Sequence, residues 1–237
     1  MPHWVQVLLV VLLFAFVAGM FALVITVFAR GRREDARIRE DHSRLPLLAR
    51  ERGWTYQARV RGRIDQYCGA GPMPGRGSNL SAWHHTTGEF RGHPFTYFEY
   101  RYNSPMTGAD GAERKPIIKT VFVVTAPGTA PSVEILRPSK LNALLDRRPS
   151  TTLGVPEFDQ RFRVVTKDED FVRTALSGAV VPYLLKYPEA RKSPLQFREN
   201  ELFTWYTGTL SPQAVEERLA FLCDVLQLVP ERSWASA

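Results

Sequence analysis

The residues best suited to chemistry crowd into one stretch, WHHTTGEFRGHPFTYFEYRY, residues 83–102. It holds three of the five histidines, with Glu99 and Arg101 close behind them. An imidazole beside a carboxylate is the minimal acid–base pair, and a neighbouring guanidinium would tune it. Side chains alternate along a strand, so His84 and His85 point to opposite faces and do not share one metal on a regular strand. Arg91-Gly92 reads as a two-residue turn joining strands 81–90 and 93–103. In that register Phe90 faces His93, His85 faces Phe98, Trp83 faces Tyr100 and His84 faces Glu99. One face, with Trp83, His85, Phe98 and Tyr100, reads as buried. The other, with His84, Phe95, Tyr97, Glu99 and Arg101, reads as solvent-lined. His84 and Glu99 are therefore the candidate catalytic pair. Against this stands a simple hairpin whose cross-strand pairs stabilise the sheet by about 0.2–1 kcal/mol each. The hairpin is the preferred reading.

Other chemistry-bearing patterns fall away. GAGPMPGRGS, residues 69–78, is glycine-rich, but Pro72 and Pro74 lack the backbone donors of a phosphate cradle and no Gly-Lys-Ser/Thr follows. There is no Gly-x-Ser-x-Gly, and Cys68 and Cys223 are too isolated to form a disulfide framework or a zinc pattern. No metal and no cofactor are expected.

The elements that would position the hairpin follow from patterning. WTYQARVRGRI opens the domain as a strand. IIKTVFVVTA is a β-branched run for a buried strand, and PSVEILRP is a shorter one. FDQRFRVVTKD reads as a further strand, SKLNALLDRRPS as one or two helical turns, and LQFRENELFTWYTG as a hairpin turning at Glu199-Asn200. DEDFVRTALSGAVVPYLLKYP reads as a helix kinked or split near Val181 by Pro182. SPQAVEERLAFLCDVLQLVP carries a Ser211 cap, Pro212 in the first turn, and a stripe of Val215, Leu219, Leu222, Leu226 and Val229 for packing on a sheet.

Ahead of the domain lies WVQVLLVVLLFAFVAGMFALVITVFA, residues 4–29, without a charge. A helix rises about 1.5 Å per residue, so such a run reaches across a hydrocarbon core of about 30 Å. With no basic n-region before it, it reads as a retained anchor, not a cleaved leader. Eleven arginines against five acids follow between Arg30 and Arg63, holding nearly all of the net charge of +7. A neutral remainder argues against a nucleic-acid footprint. Arg30, Arg32, Arg33 and Arg37 flank the span as membrane-surface contacts and predict the N-terminus outside and the domain on the cytoplasmic side of the cell membrane. Ala15/Gly19 and Ala18/Ala22 have the spacing of a homodimerising span.

The organisation expected is a single transmembrane helix at 1–29, an arginine-rich juxtamembrane helix at 30–53 interrupted or restarted at Pro46 and ended by Gly53, and a globular domain at 54–237. That domain is α+β: a mostly antiparallel twisted sheet of about six to eight strands with two C-terminal helices packed on it. Phe158, Asp159, Phe162, Val164 and Asp168, with the helix holding Ala175 and Leu176, give residues 80–229 a pattern that resembles a loose family of uncharacterised bacterial membrane-anchored proteins. The resemblance implies this fold class and brings no activity or site. The functional expectation is a membrane-tethered binding or scaffold domain with an unidentified protein or lipid partner. The alternative is a membrane-anchored enzyme using His84 and Glu99.

Overall fold

The computed structural model describes residues 3–62, 64–67, 69–73, 81–102, 117–138, 148–176, 178–187, 190 and 192–235; the side chains of residues 3, 5–15, 17, 18, 27 and 102 lie outside that description. The chain divides into two compact units, Met1–Ser43 and Arg44–Ala237.

The first unit is helical. Helix α1, His3–Glu51, supplies it and continues into the second unit. Trp4, Phe16, Met20, Phe21, Leu23, Ile25 and Phe28 are all exposed. Arg30, Arg32, Arg33 and Arg37 are exposed as well, and Arg37 makes a loose pair with Asp41 at 3.9 Å. Among the described residues no helix is long and apolar enough to cross a membrane.

The second unit begins within α1, ahead of the boundary expected at residue 53, because Leu45 and Ala49 are buried in the domain core. Pro46 does not interrupt the helix. Gly53 does end it: at φ +69° it lets Trp54 N–H donate to the Ala49 carbonyl (2.7 Å) and Gly53 N–H to that of Arg50 (3.2 Å). This is the paired closure that a left-handed glycine makes possible.

A seven-stranded sheet follows, in which every pairing is antiparallel. Strands β1 (Thr55–Arg61), β2 (Ser81–Phe90), β3 (His93–Tyr102) and β4 (Ile117–Leu136) form a meander. The two strands expected at 117–136 are one, bent where Pro127, Gly128 and Pro131 interrupt the ladder and the register with β7 (Leu195–Thr207) shifts. The outer half of β4 pairs with β6 (Arg163–Thr166), which in turn pairs with β5 (Ser150–Thr151). Strand β7 runs along both halves of β4 and is not the hairpin expected; Glu199, at φ +53°, forms a bulge there instead of a turn. Gly128 is tightly placed, since a Cβ there would meet the Ala235 carbonyl and Trp234 Cβ at 2.8 Å, where the C-terminal segment bridges to Thr129.

Both sheet faces are covered. One carries Tyr97, Phe122, Val124 and Leu202 beneath helix α5 (Pro212–Leu228). The other carries Phe98, Val121, Val123 and Phe203 beneath the segment holding Ile64, Tyr67, Ala70 and Met73. Helix α5 matches its predicted stripe: Val215, Leu219, Leu222, Leu226 and Val229 are all buried, and the Ser211 hydroxyl accepts from Ala214 N–H. The residues read as a strand from Phe158 divide into helix α2 (Pro156–Arg161) and β6, with Phe158 and Phe162 stacked at 4.8 Å. The helix expected to kink or split near Val181 is split, but earlier: α3 (Glu169–Ala175) and α4 (Val180–Lys186) are separated around Gly178 at φ +72°. Pro182 lies in the first turn of α4, where its missing N–H costs nothing. Most of SKLNALLDRRPS, like Cys68, lies outside the described residues.

Burial pushes the Cys223 thiol up to about 11 and the Tyr97 phenol up to about 12. Both groups hold their protons more tightly folded than unfolded. Their contribution is therefore complete below the unfolded values and is lost as pH rises from roughly 9 towards 12. Urea midpoints measured across that window should fall steadily; a constant midpoint between pH 9 and 11 would contradict the burial of both groups.

Candidate functional site

The turn of the opening hairpin is as expected. Arg91 (φ +51°) and Gly92 (φ +81°) form it, and Phe90 pairs with His93, Thr87 with Thr96 and Thr86 with Tyr97. Beyond Thr86 a bulge intervenes, so Trp83 pairs with Glu99 and Ala82 with Tyr100. His84 sits in the bulge at φ +52°, a backbone region that imidazole residues enter more readily than most. One extra residue on β2 moves Trp83 onto the face of Glu99 and away from Tyr100.

The bulge nonetheless brings His84 and Glu99 together: a ring nitrogen and a carboxylate oxygen lie within 4.8 Å. His84 Nδ1 also meets the Tyr56 hydroxyl at 2.8 Å. Burial, then the nearby Glu99 charge, raises the Tyr56 phenol above its ordinary value. His85 goes to the other face, buried and stacked on Phe98 at 6.3 Å. His93 stands at the turn, with Nδ1 3.3 Å from the Thr125 carbonyl. Its partner Phe90 is six residues from His84, about 20 Å along a strand, so it takes no part in the pair.

The face expected to be solvent-lined is core. Phe95 and Tyr97 are buried, and Glu99 has no exposed surface. One Glu99 oxygen accepts from Arg101 (Nη2 2.7 Å, Nε 3.2 Å) and the other from the Leu210 backbone N–H at 2.8 Å. Sequence reasoning included Arg101 but missed the rest of its surroundings. The guanidinium carbons of Arg101 and Arg59 lie 4.5 and 4.6 Å from the Trp83 ring centre. Arg59 faces Trp83 directly across β1 and β2. Two cations on one indole are a stacking arrangement that stiffens the sheet edge. The cross-strand position of Arg59 was the available signal, legible once β1 is paired with β2.

Both Glu99 oxygens are engaged, the carboxylate is sealed from solvent, and His84 is tied to Tyr56. The backbone conformation of His84 gives a direct check. His84→Gly loses the Tyr56 hydrogen bond but relaxes the backbone, so stability should stay within about 1 kcal/mol of the parent. His84→Val forces a branched side chain into the same region and should cost roughly 2 kcal/mol. Equal denaturation midpoints for the two variants would remove the bulge from the account.

A different feature is concave. An apolar groove of about 820 Å³ lies among α2, α3, α4 and residues 153–155, and contains none of the hairpin residues.

No protein-family model matches the chain, and no curated protein matches it. Among solved structures it is similar to the crystal structure of the mycobacterial trehalose monomycolate transport factor A, TtfA, with a TM-score of 0.51 and 16% identity over 79% of this chain and 95% of that one. At that identity the likeness is one of fold, a mostly antiparallel α+β domain shared along nearly all of TtfA.

Proposed function

We infer that this is a single-pass membrane protein whose α+β domain binds or scaffolds a partner at the cytoplasmic face and carries out no catalysis. The observation behind the tether is α1 itself. Residues 4–29 are uncharged, and the described part exposes large apolar side chains from Phe16 to Phe28 around the helix. A helix apolar on all sides is stable only when buried in protein or lipid. The exposed Arg30, Arg32, Arg33 and Arg37 follow as a collar suited to anionic headgroups and to retention inside. The absence of catalysis rests on Glu99, whose buried and fully engaged carboxylate supports a structural role. TtfA, of similar fold, is named for transport, which suits a domain that acts by binding.

The enzyme reading has one observation in its favour, the approach of His84 to Glu99. The two readings separate in a complementation assay. His84→Gly should restore function as fully as the parent chain if the domain binds, and should abolish it if the imidazole is an acid or base. Orientation is tested by fusing alkaline phosphatase after Ala237. It should stay inactive in intact cells, and an active fusion would place the domain outside.

A further inference from the structure

The groove beside α4 is built, not incidental. Asp159 of α2 accepts the N–H groups of Leu153 and Gly154 on its two oxygens, each at 3.0 Å, and so fixes the loop that forms one wall. The left-handed Gly178 turns the chain between α3 and α4 to form the other. Leu176 and Val181 make a buried floor, Leu153 and Leu185 half-buried sides, and Val155 and Pro182 an exposed lip. At the rim, Glu157 is paired with Arg161 (2.8 Å) and Arg173 with Glu169 (3.4 Å). Lys186 has no ion-pair partner among the described residues, and the described rim carries a net positive charge.

We propose that this groove binds a free long-chain alkyl carboxylate, with the chain along Leu176, Val181 and Leu185 and the head at Lys186 and Arg173. The volume lies within the usual range for small-ligand sites, about 300–1,000 Å³. The described lining offers polar side chains only at the rim. A peptide would press its own backbone N–H and C=O groups against the apolar side chains of the floor, whereas an alkyl chain brings none. The positive rim selects an anionic head over a neutral one, and the Lys186 stem can lie along apolar surface while its ammonium stays in water.

The test is photolabelling of the full chain in phosphatidylcholine nanodiscs with a palmitic acid carrying a mid-chain diazirine, adducts being mapped by mass spectrometry. They should concentrate on peptides holding Leu153–Val155 and Val181–Leu185. Leu185→Asp should reduce them at least about tenfold by placing a charge in the apolar path. Val155→Asp lies on the exposed lip and should do the same with the thermal midpoint kept. Lys186→Glu should abolish the preference for the acid over palmityl alcohol. Adducts spread evenly along the chain, adducts undiminished by excess unlabelled palmitate, or adducts undiminished in both aspartate variants would overturn the proposal. Equal labelling of the parent chain by acid and alcohol would overturn the choice of head. The groove lies within Arg44–Ala237, so its labelling is read on the protein whatever α1 does, and a failed tether is a separate outcome.

Discussion

Glu99→Ala is expected to lower the stability of the domain by about 3–5 kcal/mol. The carboxylate has no exposed surface and accepts from both Arg101 and the Leu210 N–H. Removing it leaves a largely covered guanidinium without its counter-charge and a buried backbone donor without an acceptor, and breaking a buried pair from one side typically costs that much. Glu99→Gln separates the two losses, because the amide oxygen still accepts from Leu210 while the charge is gone. It should fall between the parent and Glu99→Ala in urea denaturation. Arg101 also stacks on Trp83, so its indole fluorescence should shift in Glu99→Ala before unfolding begins. If both variants unfold at the parent's midpoint, Glu99 is not a structural keystone and the case against a catalytic role is lost.

Phe122→Ala should have a comparable effect, about 3–5 kcal/mol. Phe122 has no exposed surface, pairs across the sheet with Tyr97 and Thr204, and packs its ring 5.7 Å from Tyr97 and 6.3 Å from Tyr206. It lies in the first half of β4, between β3 and β7. The cavity left there is walled by strands on both sides and by α5 above, so little can move in to fill it. Phe203→Ala, on the opposite face beneath Tyr67, tests whether the second core matters equally. A cost below about 1 kcal/mol at Phe122 would mean that the sheet tolerates a hole at its centre, contrary to this packing.

These two positions also show what could be read from the chain alone. The β-branched run around Phe122 and the hairpin turn at Arg91-Gly92 were legible because each is a local signal, a strand periodicity and a pair of residues suited to positive φ. The Ser211 cap and the leucine stripe of α5 were legible for the same reason. The environment of Glu99 was not, because a single-residue bulge at His84 changes which residue faces which for the rest of the strand. A carboxylate on a strand reads as solvent-facing until Leu210, 111 residues away, supplies the donor that buries it. Likewise Glu199-Asn200 has the composition of a turn, but β4 is long enough to pair with both flanks, and tertiary pairing holds the segment extended. Phe158 and Phe162 alternate as on a strand and also lie four apart as on a helix. Pro156 in the first turn decided for the helix. The groove had no sequence signature, since it arises where Gly178 splits a helix that periodicity had joined.

We infer that the uncharged run at residues 4–29 holds the chain in a bilayer. Washing isolated membranes with alkaline carbonate strips peripheral proteins and leaves spanning ones, so it reads that claim without reference to any partner. The intact chain, Met1 included, is expected in the membrane pellet, and a chain starting at Arg30 in the supernatant. The intact chain in the supernatant, or a native chain already shortened past Ala29, would contradict it.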